Sequence, residues 1–191
     1  ALGELSFGIG DHMRNFICVL AGYGIGASFI VDGRPFYGKQ GMTGELGHLV
    51  VAEDSRIECS CGHRGCLDAL ASGRAIGLRA QKEAAADQKG PLYRLCNRDP
   101  SRISAETVAS AAEKGDPAAR RILDEAAKHL GLGLVSLIHL YNPEAVVLGG
   151  GLTQIGDFFF ERIQDVVKQR GMPQITDGLA IETATLGKKA R

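Results

Sequence analysis

Three cysteines and two histidines crowd into one short stretch of the chain: His48, then Cys59, Cys61, His63 and Cys66. Thiolate and imidazole donors at this spacing are those of a closed structural zinc site, where three Cys and one His in a tetrahedron form a standard set. The knuckle reads Cys59-Ser60-Cys61-Gly62-His63-Arg64-Gly65-Cys66, and its glycines permit the backbone reversals that turn three sulfurs toward one centre. The fourth ligand is His48 or His63. His63 lies inside the knuckle, where wrapping the metal can turn its side chain outward, so His48 is preferred. The competing reading, that these are ordinary buried thiols or a disulfide pair, fits the pattern less well. The chain has five cysteines, an odd number, and Cys18 and Cys96 show no partner spacing. That usage points away from a secreted disulfide framework and toward a reducing cytoplasm.

Beside the histidine ligand stands an acid, in the run Gly44-Glu45-Leu46-Gly47-His48. A carboxylate accepts hydrogen bonds from sugar or alcohol hydroxyls, and the imidazole nitrogen that a metal leaves free donates another. Glu45 and His48 are therefore read as ligand-binding residues on a metal-braced loop, against a purely structural part for both. Two glycine clusters form the other candidate site. Gly22-Tyr23-Gly24-Ile25-Gly26 joins two expected strands, where small residues let backbone N–H groups approach a phosphate; a plain tight hairpin is the alternative. Gly149-Gly150-Gly151 follows a buried strand, at the place where α/β proteins bind ligands beyond the carboxyl ends of their strands; a flexible connection is the alternative.

These residues need elements to hold them. Apolar runs at Asn15 to Ala21 and Ile25 to Val31, with Asp32-Gly33 before Arg34 to Tyr37, read as a three-stranded antiparallel meander. Leu49 to Ala52 adds a short extended piece. Helical periodicity runs from about Leu67 to about Lys89; a loop follows through Asn97 to Pro100. Ser104 caps a helix ending at Gly115, and Asp116-Pro117 starts a long one reaching Tyr141. That helix carries Gly131 and Gly133 in its middle, where each costs about 1 kcal/mol relative to Ala and so implies a packing reason. Strands at Ala145 to Leu148 and Leu179 to Ala184 flank a helix from about Gly156 to Arg170, which implies parallel strands added to the meander.

The 191 residues carry 22 basic and 22 acidic side chains, so nothing resembles the electrostatic footprint of a nucleic-acid binder. No apolar run reaches the roughly 20 residues of a membrane span, and no signal-peptide pattern opens the chain. A soluble cytoplasmic protein without membrane partners is expected. Ala1 and Arg191 both fall at the ends of apparent elements, so a longer parent protein is expected as well.

Taken together, Gly44 to His48, Cys59 to Cys66 with Leu67-Asp68, the glycine-rich hairpin, and Asn142-Pro143-Glu144-Ala145-Val146-Val147-Leu148-Gly149-Gly150-Gly151 resemble the ROK family of bacterial sugar kinases and sugar-responsive repressors. The resemblance spans nearly the whole chain. It implies that residues 1–191 form the C-terminal lobe of an actin-like, ribonuclease-H-like two-lobed protein, with the zinc loop at about 45–68. It further implies zinc on His48, Cys59, Cys61 and Cys66, a hexose or N-acetylhexosamine on Glu45 and His48, and a homodimer or homotetramer formed through this lobe. In a kinase, ATP with magnesium would lie against Gly22, Gly24, Gly26, Gly149, Gly150 and Gly151.

Three departures from the family pattern bear on activity. Tyr23 stands where the kinases usually have Thr, whose hydroxyl helps bind ATP phosphates. Asp68 stands where a Glu contacts the sugar; it keeps the charge on a side chain one methylene shorter, so it is expected with Glu45 and His48 among the sugar-binding residues, its contact shifted or passed through water. Lys188 follows Gly187, where an acidic or amide residue is more frequent in kinases. The Asp-x-Gly-Gly-Thr loop and the Asn-Asp pair with the general base are expected upstream of Ala1, as are any DNA-binding helices. No catalytic residue is therefore assigned within this chain. The implied function is the sugar-sensing and oligomerisation lobe of a transcriptional regulator, with an ATP-dependent hexose kinase lobe as the alternative.

Overall fold

The computed structural model describes residues 3, 4, 8 and 12–185. The Lys188-Lys189 tail and most of the expected helix end at Ala1 to Phe7 lie outside the described residues. A five-stranded mixed sheet in the order β3-β2-β1-β4-β5 forms the frame, from β1 (Phe16–Ala21), β2 (Ile25–Val31), β3 (Arg34–Phe36), β4 (Ala145–Gly149) and β5 (Ala180–Thr183). β1 pairs antiparallel with β2, and β2 with β3, giving the expected meander. β4 lies parallel to β1 and to β5, giving the expected extension.

Alternation along the strands sorts the side chains by face. Ile17, Val19 and Ala21 of β1 join Val146 and Leu148 of β4 in the main core, whereas Phe16 meets Ile30, Ala145 and Val147 on the opposite face. The main core is completed by helices α1 (Leu67–Ala71), α2 (Gly73–Ala86), α3 (Pro91–Leu95), α4 (Ala105–Glu113), α5 (Pro117–Tyr141) and α6 (Asp157–Arg170), followed by the short α7 (Pro173–Thr176). Asp116 starts α5 as expected: its Oδ1 accepts the Ala118 and Ala119 N–H groups at 2.8 and 3.0 Å. Asn142, left-handed at φ 46°, ends that helix ahead of Pro143.

The sequence expectation fails in three places. The single helix expected from Leu67 to Lys89 is two, α1 and α2, separated at Ser72, whose ψ of 160° is extended. The break is stabilised from both sides: Ser72 Oγ accepts the Ala75 N–H at 3.2 Å, while the Gly73 and Arg74 N–H groups donate to the Gly22 and Tyr23 carbonyls at 2.8 and 3.2 Å. Those donors belong to a new helix start, which has no intrahelical partners for them, so the hairpin supplies acceptors. The second miss is α3, which fills part of the expected loop. Leu49 to Ala52 contributes one bridge, Val50 to Cys66, rather than a strand.

The glycines inside α5 have the packing reason their cost implied. A Cβ on Gly131 would stand 2.7 Å from Val166 Cβ of α6, and one on Gly133 would stand 2.7 Å from Leu67 Cδ2 of α1. Val166 is stiff and buried, so Gly131→Ala overpacks the α5–α6 crossing. Overpacking costs about 1–3 kcal/mol, more than the ~1 kcal/mol of helix propensity that alanine adds. A lowered melting temperature in calorimetry is the expected outcome; an increase would show that the crossing relaxes freely.

Candidate functional site

The loop between β3 and α1 is pinned to the sheet before it reaches the cysteines. Gly44, at φ +91°, accepts the Ala27 N–H at 2.7 Å, and any Cβ there would overlap the Ala27 carbonyl. Only glycine fits a left-handed residue laid this closely on a strand. A 3₁₀ turn at Leu46–His48 follows, with Leu46 buried in the main core and the Glu45 and His48 side chains reaching solvent. The knuckle is closed by backbone pairs: Cys59 N–H donates to the His63 carbonyl at 2.8 Å, Gly62 N–H to the Cys59 carbonyl at 3.0 Å, and Val51 N–H to the Gly65 carbonyl at 2.9 Å. Arg64 and Glu58 form an ion pair across it at 2.7 Å.

These constraints gather His48, Cys59, Cys61 and Cys66 so that their ligand atoms lie within 4.8 Å of one another. Cys61 Sγ is 3.7 Å from Cys66 Sγ, and Cys59 Sγ is 3.6 Å from His48 Nδ1. In a zinc tetrahedron, bonds of ~2.3 Å to sulfur and ~2.0 Å to nitrogen place two sulfurs about 3.8 Å apart and a sulfur and nitrogen about 3.5 Å apart. The cluster thus has a donor set suited to zinc, and these two separations match those of a zinc tetrahedron. His63 Nδ1 also lies 3.6 Å from Cys61 Sγ, yet it falls outside the four-residue group.

The thiols differ in electrostatic setting. Burial, followed by the neighbouring Cys61 and Cys59 thiols, pushes Cys66 up to about 12, so in the metal-free protein it stays protonated. Cys61 is held below the usual thiol value, chiefly by the hydrogen bond from the His63 backbone. A metal bound by this cluster would have to displace the Cys66 proton, and its binding would be favoured by rising pH.

With Nδ1 turned to the sulfurs, His48 presents Nε2 toward Glu45, 3.9 Å from Oε2. An exposed acceptor thus sits beside an exposed donor, a pairing suited to neighbouring hydroxyls. Asp68, in the first turn of α1, is part-buried, and its Oδ1 accepts the Ile25 N–H at 2.9 Å.

The two glycine clusters come together only in part. Gly22 and Gly151 meet, with a Cβ on Gly22 falling 3.7 Å from the Gly151 nitrogen. With Tyr23, 79% exposed, they line a cavity of about 330 Å³. Gly26 and Gly149 instead line a separate cavity on the opposite sheet face. Gly24 packs against Asp68, and Gly150, at φ +95°, packs against Ala21. The remaining walls come from residues that the sequence did not single out as site residues, among them Arg74, Gln81, Glu106 and the helix-capping Ser104. Ser72-Gly73 was the available signal: a capping serine before glycine marks a helix start, and that start carries Arg74 to the cavity.

A mixed five-stranded sheet with its helices, a His/Cys cluster that could hold a metal ion, and an adjacent carboxylate define an α/β protein of the sugar-kinase-like class. The ROK family model matches residues 1–191, and the chain belongs to the ROK family. It is 33% identical over 190 residues to a glucokinase of Halalkalibacterium halodurans, covering 100% of this chain and 57% of the relative. It is 32% identical over 190 residues to a xylose repressor of Caldicellulosiruptor bescii, covering 100% of this chain and 47% of that protein. A ROK family glucokinase from Streptomyces griseus, solved in complex with glucose and AMPPNP, superposes with a TM-score of 0.83 at 31% identity, covering 98% of this chain and 61% of that one. The chain spans about half the length of the curated relatives it matches. Among the described residues, no helix is long and apolar enough to cross a membrane.

Proposed function

We propose that this chain is the sugar-sensing and oligomerisation lobe of a ROK-type transcriptional regulator, the C-terminal half of an actin-like two-lobed cytoplasmic protein. A structural zinc on His48, Cys59, Cys61 and Cys66 braces the loop, and a hexose or N-acetylhexosamine binds at Glu45 and His48 beside it. The observation that carries the regulator reading is Tyr23. It occupies the tip of the glycine hairpin, exposed at the cavity mouth beside Gly22 and Gly151, where the family's kinases usually place Thr. DNA contact belongs to a separate N-terminal domain, and a homodimer or homotetramer presents it. Sugar and DNA then alter each other's affinity by the same factor, as linkage requires.

The second reading, a lobe of an ATP- and magnesium-dependent hexose kinase, is favoured by the likeness to the Halalkalibacterium glucokinase and the Streptomyces griseus structure. Phosphoryl transfer relies on positioning and charge stabilisation by groups from both lobes, so the intact protein is needed to separate the readings. Calorimetry of that protein with glucose, N-acetylglucosamine and xylose is expected to show binding of a sugar, with no ATP-dependent phosphorylation of it. Turnover of ATP with a hexose would establish the kinase instead. Silence toward every sugar would remove both.

A further inference from the structure

Asp68 sits where three pieces of chain meet. Its Oδ1 accepts the Ile25 N–H at 2.9 Å. The same oxygen lies 3.3 Å from where a Gly24 Cβ would stand, and Asp68 Cβ lies 3.1 Å from that of Gly47, so the side chain fills the gap between the hairpin and the Glu45–His48 turn. Two further bonds follow along the same corner, from the Gly73 N–H to the Gly22 carbonyl at 2.8 Å and from the Arg74 N–H to the Tyr23 carbonyl at 3.2 Å. The tip of the hairpin is thus tied at Gly22, Tyr23 and Ile25 to a stretch that begins two residues after Cys66. Tyr23 and Arg74, at opposite ends of one of these bonds, both line the cavity at the hairpin tip.

We propose that Asp68 is a positioning residue rather than a sugar ligand: through the Ile25 N–H it holds the Gly22–Ile25 turn in register with the metal-braced loop. An ionised carboxylate is the strongest acceptor available for a lone backbone N–H. The aspartate length suits the task, because its oxygen already reaches the amide while its Cβ touches the space beside Gly47. A glutamate would carry the carboxylate one methylene beyond that contact. The sugar readout of the test rests on the function proposed above; the amide readout does not.

The test uses the intact protein with Asp68→Ala and Asp68→Asn. Amide hydrogen exchange is followed at Ile25 and, as a control, in β4, and D-glucose and N-acetyl-D-glucosamine are titrated calorimetrically. Removing the acceptor in Asp68→Ala is expected to speed exchange at Ile25 by about tenfold and to weaken sugar binding by a similar factor, with β4 unchanged. Asparagine keeps an oxygen for the same N–H, so Asp68→Asn recovers both readouts to within about threefold of wild type. The proposal is overturned if Asp68→Asn protects Ile25 but loses the sugar, which would make the carboxylate a direct ligand. Wild-type exchange at Ile25 in Asp68→Ala overturns it equally. Should Asp68→Ala fail to fold, the Asp68→Asn comparison decides alone. If wild type binds neither sugar, the function falls, and the Ile25 exchange rates still decide the role of Asp68.

Discussion

Cys66→Ser is expected to weaken metal binding by about 100-fold or more, loosen residues 44–66 and weaken sugar binding. Cys66 is fully buried, 3.7 Å from Cys61 Sγ, and it bridges to Val50, so it joins the knuckle to the strand-like entry of the loop as well as to the candidate metal cluster. Loss of a partner that merely orients a metal ligand costs about 10–100-fold in metal affinity, and loss of a ligand itself costs more. In zinc-finger peptides the ion supplies about 10 kcal/mol or more of folding free energy. Cys59 and Cys66 pack with Ala69 in a cluster separate from the main core, so the expected change is local. New protease cleavage confined to 44–66, a lowered melting temperature and lowered metal content in elemental analysis are the measurements. A variant that keeps wild-type metal content and protease resistance would show that Cys66 is not a ligand.

Glu45→Ala is the second large effect, and it separates ligand binding from bracing. The Glu45 side chain is exposed and lies 3.9 Å from His48 Nε2, outside the group of four ligand atoms, so its removal leaves the metal in place. A hydrogen bond to a charged acceptor contributes about 1.5–3 kcal/mol, equivalent to about 10–150-fold in affinity. The expected result is that much loss of hexose affinity in the intact protein, at unchanged metal content and melting temperature. Unchanged affinity would reduce the loop to a structural module. His48→Ala separates the two less cleanly, because it removes a candidate metal ligand at the same time.

The meander, the added parallel strands and the start and end of α5 were legible because each rests on local chemistry: Asp32-Gly33 between apolar runs, Asp116-Pro117 as cap and first turn, and Asn142-Pro143 as stop. The grouping of His48, Cys59, Cys61 and Cys66 was legible for a similar reason, since few roles call for those residue types at that spacing. The preference for His48 over His63 was likewise legible, and the folded loop places His48 in the group of four while His63 Nδ1 lies 3.6 Å from Cys61 Sγ.

What stayed hidden depends on distant partners. Helical periodicity runs through Ser72 without interruption, and the break is visible only once Gly22 and Tyr23 offer their carbonyls to the new helix start. The six glycines were grouped by their position beside strands, yet Gly26 and Gly149 lie within strands and line one cavity, while Gly22 and Gly151 lie beyond the strand ends and line another. The burial of Asp68 against Ile25 likewise follows from how α1 meets β2, which no local pattern encodes.

The account turns on one ion fixing the loop that presents Glu45. X-ray absorption at the zinc edge, on the purified intact protein, tests this most directly. The predicted signal is zinc bound by three sulfurs at about 2.3 Å and one nitrogen at about 2.0–2.1 Å. A protein isolated without zinc, or zinc in a shell of oxygen and nitrogen alone, would contradict it.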